Sequence, residues 1–164
     1  MAEVIDPKVY AACPNLAASD HSWSSPETKQ YNCIAYAVGD SQRWWQPLRL
    51  DQRRLVPPYY YWPKGAVPGD YSLANYIRAY RTLGYTTCAM NSDLEEGFAK
   101  VVLFELEGRA THAAKQLENG DWSSKAGGFQ DFCHATPDAV AGGEYGKIAV
   151  YMRRQLPRKK AKRT

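Results

Sequence analysis

The sequence predicts an α+β domain, and three observations carry that expectation. Residues 70–84 show a helical apolar stripe, the chain beyond them reads as a succession of strands, and the apolar run Tyr31–Val38 is rich in small residues. A helix-bearing first half followed by mostly antiparallel strands is the α+β arrangement. At 164 residues the chain suffices for one real core and is short for two. A single domain is expected over residues 1–153, with residues 154–164 as a basic, disordered tail.

Taken in order, residues 1–30 read as loop, with one short helical turn near Lys8–Ala12 ended by Pro14. Tyr31-Asn-Cys-Ile-Ala-Tyr-Ala-Val38, bounded by Gly39-Asp40, fits a buried strand or a short buried helix, and Ala35 and Ala37 favour the helix. Residues 41–69 carry five prolines among Trp44-Trp45 and Tyr59–Trp62, which excludes long regular elements and suggests an aromatic-rich loop over the domain. The next helix is clearer: Asp70 suits the N-cap, Gly84 the C′ position, and Leu73, Tyr76, Ile77, Tyr80 and Leu83 share one stripe. Strands are expected at Tyr85–Cys88, Lys100–Leu106 and Thr111–Leu117. A two-residue Asn119-Gly120 turn then leads into Asp121–Ala126. Phe132–Val140 reads as loop or short helix, and Lys147–Met152 as a last strand.

Composition narrows the functional classes. Aromatic residues reach 13%, with 12 Tyr and 5 Trp, so much of the packing must be aromatic. The net charge of +4 is misleading, because seven of the positive charges lie between Arg153 and Arg163 with no acid among them. The +4 less those seven leaves −3 for the body, so nucleic-acid contact would rest on the tail, for which a solubilising role is the simpler reading. No apolar run approaches the roughly 20 residues of a membrane span, and no secretory signal opens the chain, so a cytoplasmic protein, or one delivered without a classical signal, is expected. Cys13, Cys33, Cys88 and Cys133 are then read as free thiols, and their spacing matches no zinc signature; no metal or cofactor is implied.

Few residues carry chemistry. Cys33 would fall in the first turn if Ile34 onward is helical, where unsatisfied amides favour a thiolate and could hold an oxyanion, with Asn32 adding a side-chain donor. Of the three histidines, His21 lies in the N-terminal loop region and His134 in a loop beside Cys133, whereas His112 opens a strand, a better seat for a base. Cysteine at a helix start with histidine on a later strand suits nucleophilic attack on an acyl carbon. A buried structural cysteine is the plain alternative. Trp122 is expected in the core and His134 as a satisfied structural histidine. Lys125 could pair with an acid or bind a substrate carboxylate, and the aromatic loop could grip substrate or merely pack.

Two resemblances sharpen this. Tyr31-Asn-Cys-Ile-Ala-Tyr-Ala37 resembles the nucleophile helix of papain-like cysteine hydrolases, the group that includes the NlpC/P60 peptidases. Residues 23–153 also resemble an uncharacterised bacterial family with the pattern N-C…H-A-A…G-x-W-x-S-K-x-G…H…Y-G. The papain-like comparison implies a cysteine-bearing helix on a mostly antiparallel sheet, a Cys33 nucleophile, a His112 base and a polar third residue on the following strand. A two-residue turn would put Ser123 and Lys125 on the His112 face, whereas one extra residue puts Ser124 there; the Ser-Lys of the family pattern favours Ser124, and Asp121 lies too near the turn. The implied activity is a thiol hydrolase or acyltransferase on an amide, isopeptide or thioester bond of a protein or peptide. The alternative is a binding module that contacts protein or single-stranded nucleic acid through the aromatic loop and the tail.

Overall fold

A seven-stranded sheet organises the chain in the computed structural model, which describes residues 6–49, 51–52 and 59–158. The elements are α1 (Pro7–Ala12), β1 (His21–Ser25), α2 (Cys33–Ala37), β2 (Trp44–Trp45), β3 (Tyr60–Tyr61), α3 (Leu73–Arg81), β4 (Thr86–Thr87), β5 (Phe98–Leu106), β6 (Arg109–Gln116), β7 (Trp122–Lys125), β8 (Asp131–His134), a 3-10 turn at Pro137–Val140 and β9 (Lys147–Gln155). The strand order is β1-β8-β7-β6-β5-β9-β4, and each neighbouring pair runs antiparallel. The fold is therefore α+β. Among the described residues, no helix is long and apolar enough to cross a membrane.

Alternation along the central strand builds two cores. Val101 and Leu103 of β5 join Ala113 and Met152 under α2 and α3. Val102 and Phe104 point the other way, into a cluster with Ala114, Trp122, Phe132 and Tyr151 that α1 and the 3-10 turn cover through Val9, Ala12, Ala139 and Val140. With both faces covered, β5 is apolar at successive positions, as a central strand must be. Trp122 is in the core as expected, edge-on to Tyr151.

The small-residue run forms α2 because Asn32 caps it. Its Oδ1 accepts from the amides of Ala35 at 3.1 Å and Trp45 at 3.3 Å, and its Nδ2 donates to the Trp45 carbonyl at 2.7 Å. Ala35 and Ala37, both buried, let this helix lie close to the sheet. The Tyr80 hydroxyl of α3 donates to the Ile34 carbonyl at 2.7 Å and ties the two helices together.

Several elements differ from expectation. The N-cap of α3 is Ser72, which accepts from Asn75, while Asp70 accepts from the Ser72 amide one step earlier. Two strands stand where loop was expected: β1, His-Ser-Trp-Ser-Ser, and β8, Asp-Phe-Cys-His, which pair with one another. Trp44-Trp45 and Tyr60-Tyr61 form a two-residue parallel ladder inside the proline-rich stretch, whose residues 53–58 lie outside the described ones. The β6–β7 turn is longer by one residue than a two-residue hairpin: Gln116 pairs with Trp122, the Leu117 amide donates to the Asp121 carbonyl, and Gly120 takes φ +92°. Finally, β9 runs through Gln155, two residues into the stretch read as tail; Arg154 packs on Tyr85 and Arg153 pairs with Glu95, so these two cations belong to the fold. The tail from residue 159 lies outside the described residues.

Candidate active site: Cys33, His112 and a buried serine–histidine pair

The longer turn sets the parity of the hairpin. Ala114 pairs with Ser124, so Ser124 shares the face of His112 while Ser123 and Lys125 point to the other. A bulge places His112 itself. Phe104 pairs with His112 and Glu105 with Ala110, leaving Thr111 as the extra residue, and its hydroxyl donates to the Tyr145 carbonyl. Tyr145 thereby lies over His112, with ring centroids 4.1 Å apart and planes within 15°, and Phe104 flanks the imidazole at 5.4 Å.

His112 is fully buried. Its Nε2 lies 3.0 Å from Ser124 Oγ, and that oxygen lies 2.8 Å from His134 Nε2. His134 Nδ1 is 2.7 Å from the Thr136 carbonyl oxygen. His112 Nδ1 has no hydrogen-bond partner among the described residues. Burial, then the neighbouring His134, pushes the His112 pKa down to about 3, so the ring is neutral at ordinary pH. Burial lowers His134 as well, against the opposing pull of its Thr136 bond and of Asp121.

Cys33 opens α2 and is 8% exposed. Burial dominates its thiol and pushes the pKa up to about 11, while the backbone amides of Ala113, Ile34 and Cys33 and the charge of Lys125 act in the other direction. The thiol is thus protonated at rest, although backbone donors surround it. It meets β6 at Ala113, the residue after His112 and one beyond the last β6–β7 pair. Its side-chain neighbours belong to the α2–α3 core, whereas the His112 ring packs with Phe104 and Tyr145 of the opposite one. A thiolate at Cys33 would be felt at Tyr145, whose pKa burial first, and then Cys33, raises well above the usual phenol value.

The other two site residues carry structural bonds. The Asn32 amide is taken up by the α2 cap and by Trp45, as described above. Lys125 is fully buried, and its Nζ donates to the carbonyls of Gly127 at 2.5 Å and Phe129 at 2.8 Å, with the Tyr31 ring 5.1 Å away. It therefore staples the 126–130 loop, with Asp131 opposite it in the ladder. Asp131 in turn accepts from Ser25 and Tyr31. Sequence reasoning put His134 in a loop; its Phe132 neighbour and the His21–His134 and Trp122–His134 pairings mark it as a strand residue.

Two clefts flank the pair. One, of about 420 Å³, is lined by Val9, Ala12, Ala126, Phe129, Glu144 and Tyr145 and so ends on the ring that covers His112. The other, of about 270 Å³, holds His21, Asp121, Cys133 and His134. All four cysteines are free. No curated protein and no solved structure matches the chain. Residues 22–153, which span every strand that builds the site, match the family model described as "Domain of unknown function (DUF7689)", and the chain belongs to that family.

Proposed function

We propose that the protein is a papain-like thiol hydrolase or acyltransferase that acts on an amide, isopeptide or thioester bond of a peptide or protein, with Cys33 as nucleophile and His112 as base. The observation that carries this reading is the neutral, buried imidazole of His112. Its Nε2 is held by Ser124, its Nδ1 has no partner among the described residues, and it lies next in the chain to the amide that faces the Cys33 sulfur. The raised thiol pKa favours general-base attack over a resting ion pair. Cys33 and His112 lie on opposite faces of β6, with Ala113 and with Phe104 and Tyr145 respectively, so the reading requires the two side chains to reach each other past the last β6–β7 pair, Ala114–Ser124.

The sulfur attacks the carbonyl carbon as its proton passes to His112 Nδ1, and the carbonyl oxygen becomes an oxyanion near the amides of Cys33 and Ala113. Collapse expels the amine or thiol, which takes the proton from His112 and leaves an acyl group on Cys33. Water or an amine then attacks the acyl carbon, again with His112 as base, and the thiol is restored. Ser124 orients the base, and no metal or cofactor takes part. Free thiols throughout suit a cytoplasmic setting.

The test is acyl transfer to the protein from a panel of peptide thioesters, read by intact-mass and peptide mass spectrometry. Cys88 and Cys133 are more exposed than Cys33, so exposure alone predicts that they react first. Acylation of Cys33 ahead of both, lost in Cys33→Ala and slowed at least about 100-fold in His112→Gln, is expected. Acylation that follows exposure, or that ignores His112, refutes the reading. The binding-module alternative has its own support in the partly exposed ring series Trp44–Tyr60–Tyr59, with centroid spacings of 6.2 and 5.7 Å. It predicts an unreactive Cys33 and binding of single-stranded oligonucleotide or peptide that Tyr59→Ala weakens.

A further inference from the structure

Hydrogen-bond directions around Ser124 admit one self-consistent pattern with neutral rings, and from it we infer that His134 is a positioning residue that sets the tautomer of His112 through the Ser124 hydroxyl. The chain of bonds starts at a group that can only accept, the Thr136 carbonyl, 2.7 Å from His134 Nδ1. His134 Nδ1 therefore carries a hydrogen, and in the neutral ring Nε2 presents a lone pair. Ser124 Oγ, 2.8 Å from that lone pair, donates its one hydrogen there. Toward His112 Nε2, at 3.0 Å, the same oxygen has only lone pairs to present, so His112 brings the hydrogen on Nε2. The Nδ1 of His112 is left with its lone pair, and that is the ring atom without a partner among the described residues.

A doubly protonated His134 would reverse the chain. Burial against Phe132 and the cross-strand His21 oppose that charge, and Asp121 is the acid that supports it; burial prevails. The catalytic consequence rests on the thiol-hydrolase reading, because only there does a lone pair on His112 Nδ1 receive a proton from Cys33. The tautomer itself does not. His112 and Ser124 alone leave either direction open, since a serine hydroxyl can donate to or accept from an imidazole. The Thr136 carbonyl, beyond His134, decides between them.

The experiment is long-range nitrogen–proton NMR of the imidazole rings in the full chain, uniformly labelled with nitrogen-15, at neutral pH. Assignment uses His21→Gln and His134→Gln. His134 is expected as the Nδ1–H tautomer and His112 as the Nε2–H tautomer. In His134→Leu the Ser124 hydroxyl loses its acceptor and turns to His112 Nε2, so His112 shifts to Nδ1–H. In His134→Gln a side-chain carbonyl takes the hydroxyl and the Nε2–H state is kept. Thioester acylation of Cys33 then falls at least about tenfold in His134→Leu and recovers in His134→Gln, which a merely packing role would not produce. A wild-type His112 protonated at Nδ1, or one unchanged in His134→Leu, overturns the inference. Should His134→Leu fail to fold, His134→Phe, which keeps a ring beside Phe132 but offers the Ser124 hydroxyl no acceptor, replaces it: an unaltered Nε2–H population in that variant overturns the inference equally. Correct tautomers with an inert Cys33 refute the hydrolase reading and leave the relay standing, whereas a reactive Cys33 with reversed tautomers removes the relay alone.

Discussion

Asn32 is the residue on which the geometry of the nucleophile helix depends, and Asn32→Ala measures how much. The substitution removes the acceptor for the Ala35 amide, worth about 1 kcal/mol as an N-cap. It also removes two bonds to Trp45, one to its amide and one to its carbonyl, each worth about 1 kcal/mol net. The sum is about 3 kcal/mol, with more to lose if no water reaches the Trp45 backbone, since that residue is 1% exposed. For a domain of this size it corresponds to a fall in Tm of roughly 6–12 °C. Asn32→Ser separates the two contributions: a serine still caps Ala35 but is too short for Trp45, so about 2 kcal/mol is expected. Urea denaturation followed by tryptophan fluorescence reads both variants. An Asn32→Ala cost below about 1 kcal/mol, or equal costs for alanine and serine, would refute the clamp between α2 and β2.

Other perturbations test the site and its frame. Tyr80→Phe strips the Ile34 carbonyl of its buried donor and should cost about 1–3 kcal/mol in the same assay, while Tyr36→Phe, whose hydroxyl meets Ser123 at 2.7 Å nearer the surface, should cost about 1 kcal/mol or less. Gly146 has φ +69°, and a Cβ there would lie 2.0 Å from the Glu105 carbonyl oxygen; Gly146→Ala should destabilise by at least about 2 kcal/mol and loosen Tyr145 from His112, seen as faster exchange of the His112 ring proton. The pH dependence of stability has a definite sign. Because the folded His112 titrates near 3 and an unfolded histidine near 6.5, the unfolded chain takes up the proton first as pH falls. The stability gained by keeping the ring neutral is complete above about 6.5 and is lost on the way down to about 3. His112→Phe, which keeps an aromatic ring under Tyr145, should flatten the pH 3–6 stability slope by up to about 1.4 kcal/mol per pH unit, and an unchanged slope would show that His112 does not titrate in that way.

The parts of the fold that were legible in the sequence are those whose burial pattern is local. The stripe through Leu73, Tyr76, Ile77 and Tyr80 makes α3 plain, and runs such as Val101–Phe104 and Ile148–Met152 read as strands because each buries several apolar residues in a row. By contrast, β1 carries one large apolar side chain, Trp23, and β8 one, Phe132, and these two meet at 5.5 Å across a ladder that joins residues more than a hundred positions apart. Short strands held by backbone pairing leave little trace in side-chain periodicity. The parallel Trp44–Trp45 and Tyr60–Tyr61 pair has the same character: two residues on each side are too few for a pattern. At the candidate site, Cys33 is marked by its place at a helix start and His112 by its place on a strand, and Ser124 depended on whether the hairpin turn held two residues or three. The partnership of His134 with Ser124 was hidden, since it arises only once β8 is known to lie beside β7.

The sheet has a long half and a short half. Strands β5 and β9 pair from Phe98–Gln155 to Glu105–Lys147, whereas β6 and β7 are joined at three pairs, Ala114–Ser124, Lys115–Ser123 and Gln116–Trp122, and by the Leu117–Asp121 bond at the turn. His112 stands on the long half and both of its orienting groups on the short one. Rupture of that brief join parts the imidazole from the hydroxyl while β5, β6 and β9 stay zipped, so the amides of β7 and β8 should exchange with solvent ahead of those in β5 and β9. The protonation state of the histidine is thus coupled to a short suture inside the sheet, and opening there frees His112 from its orienting groups before the long strands part.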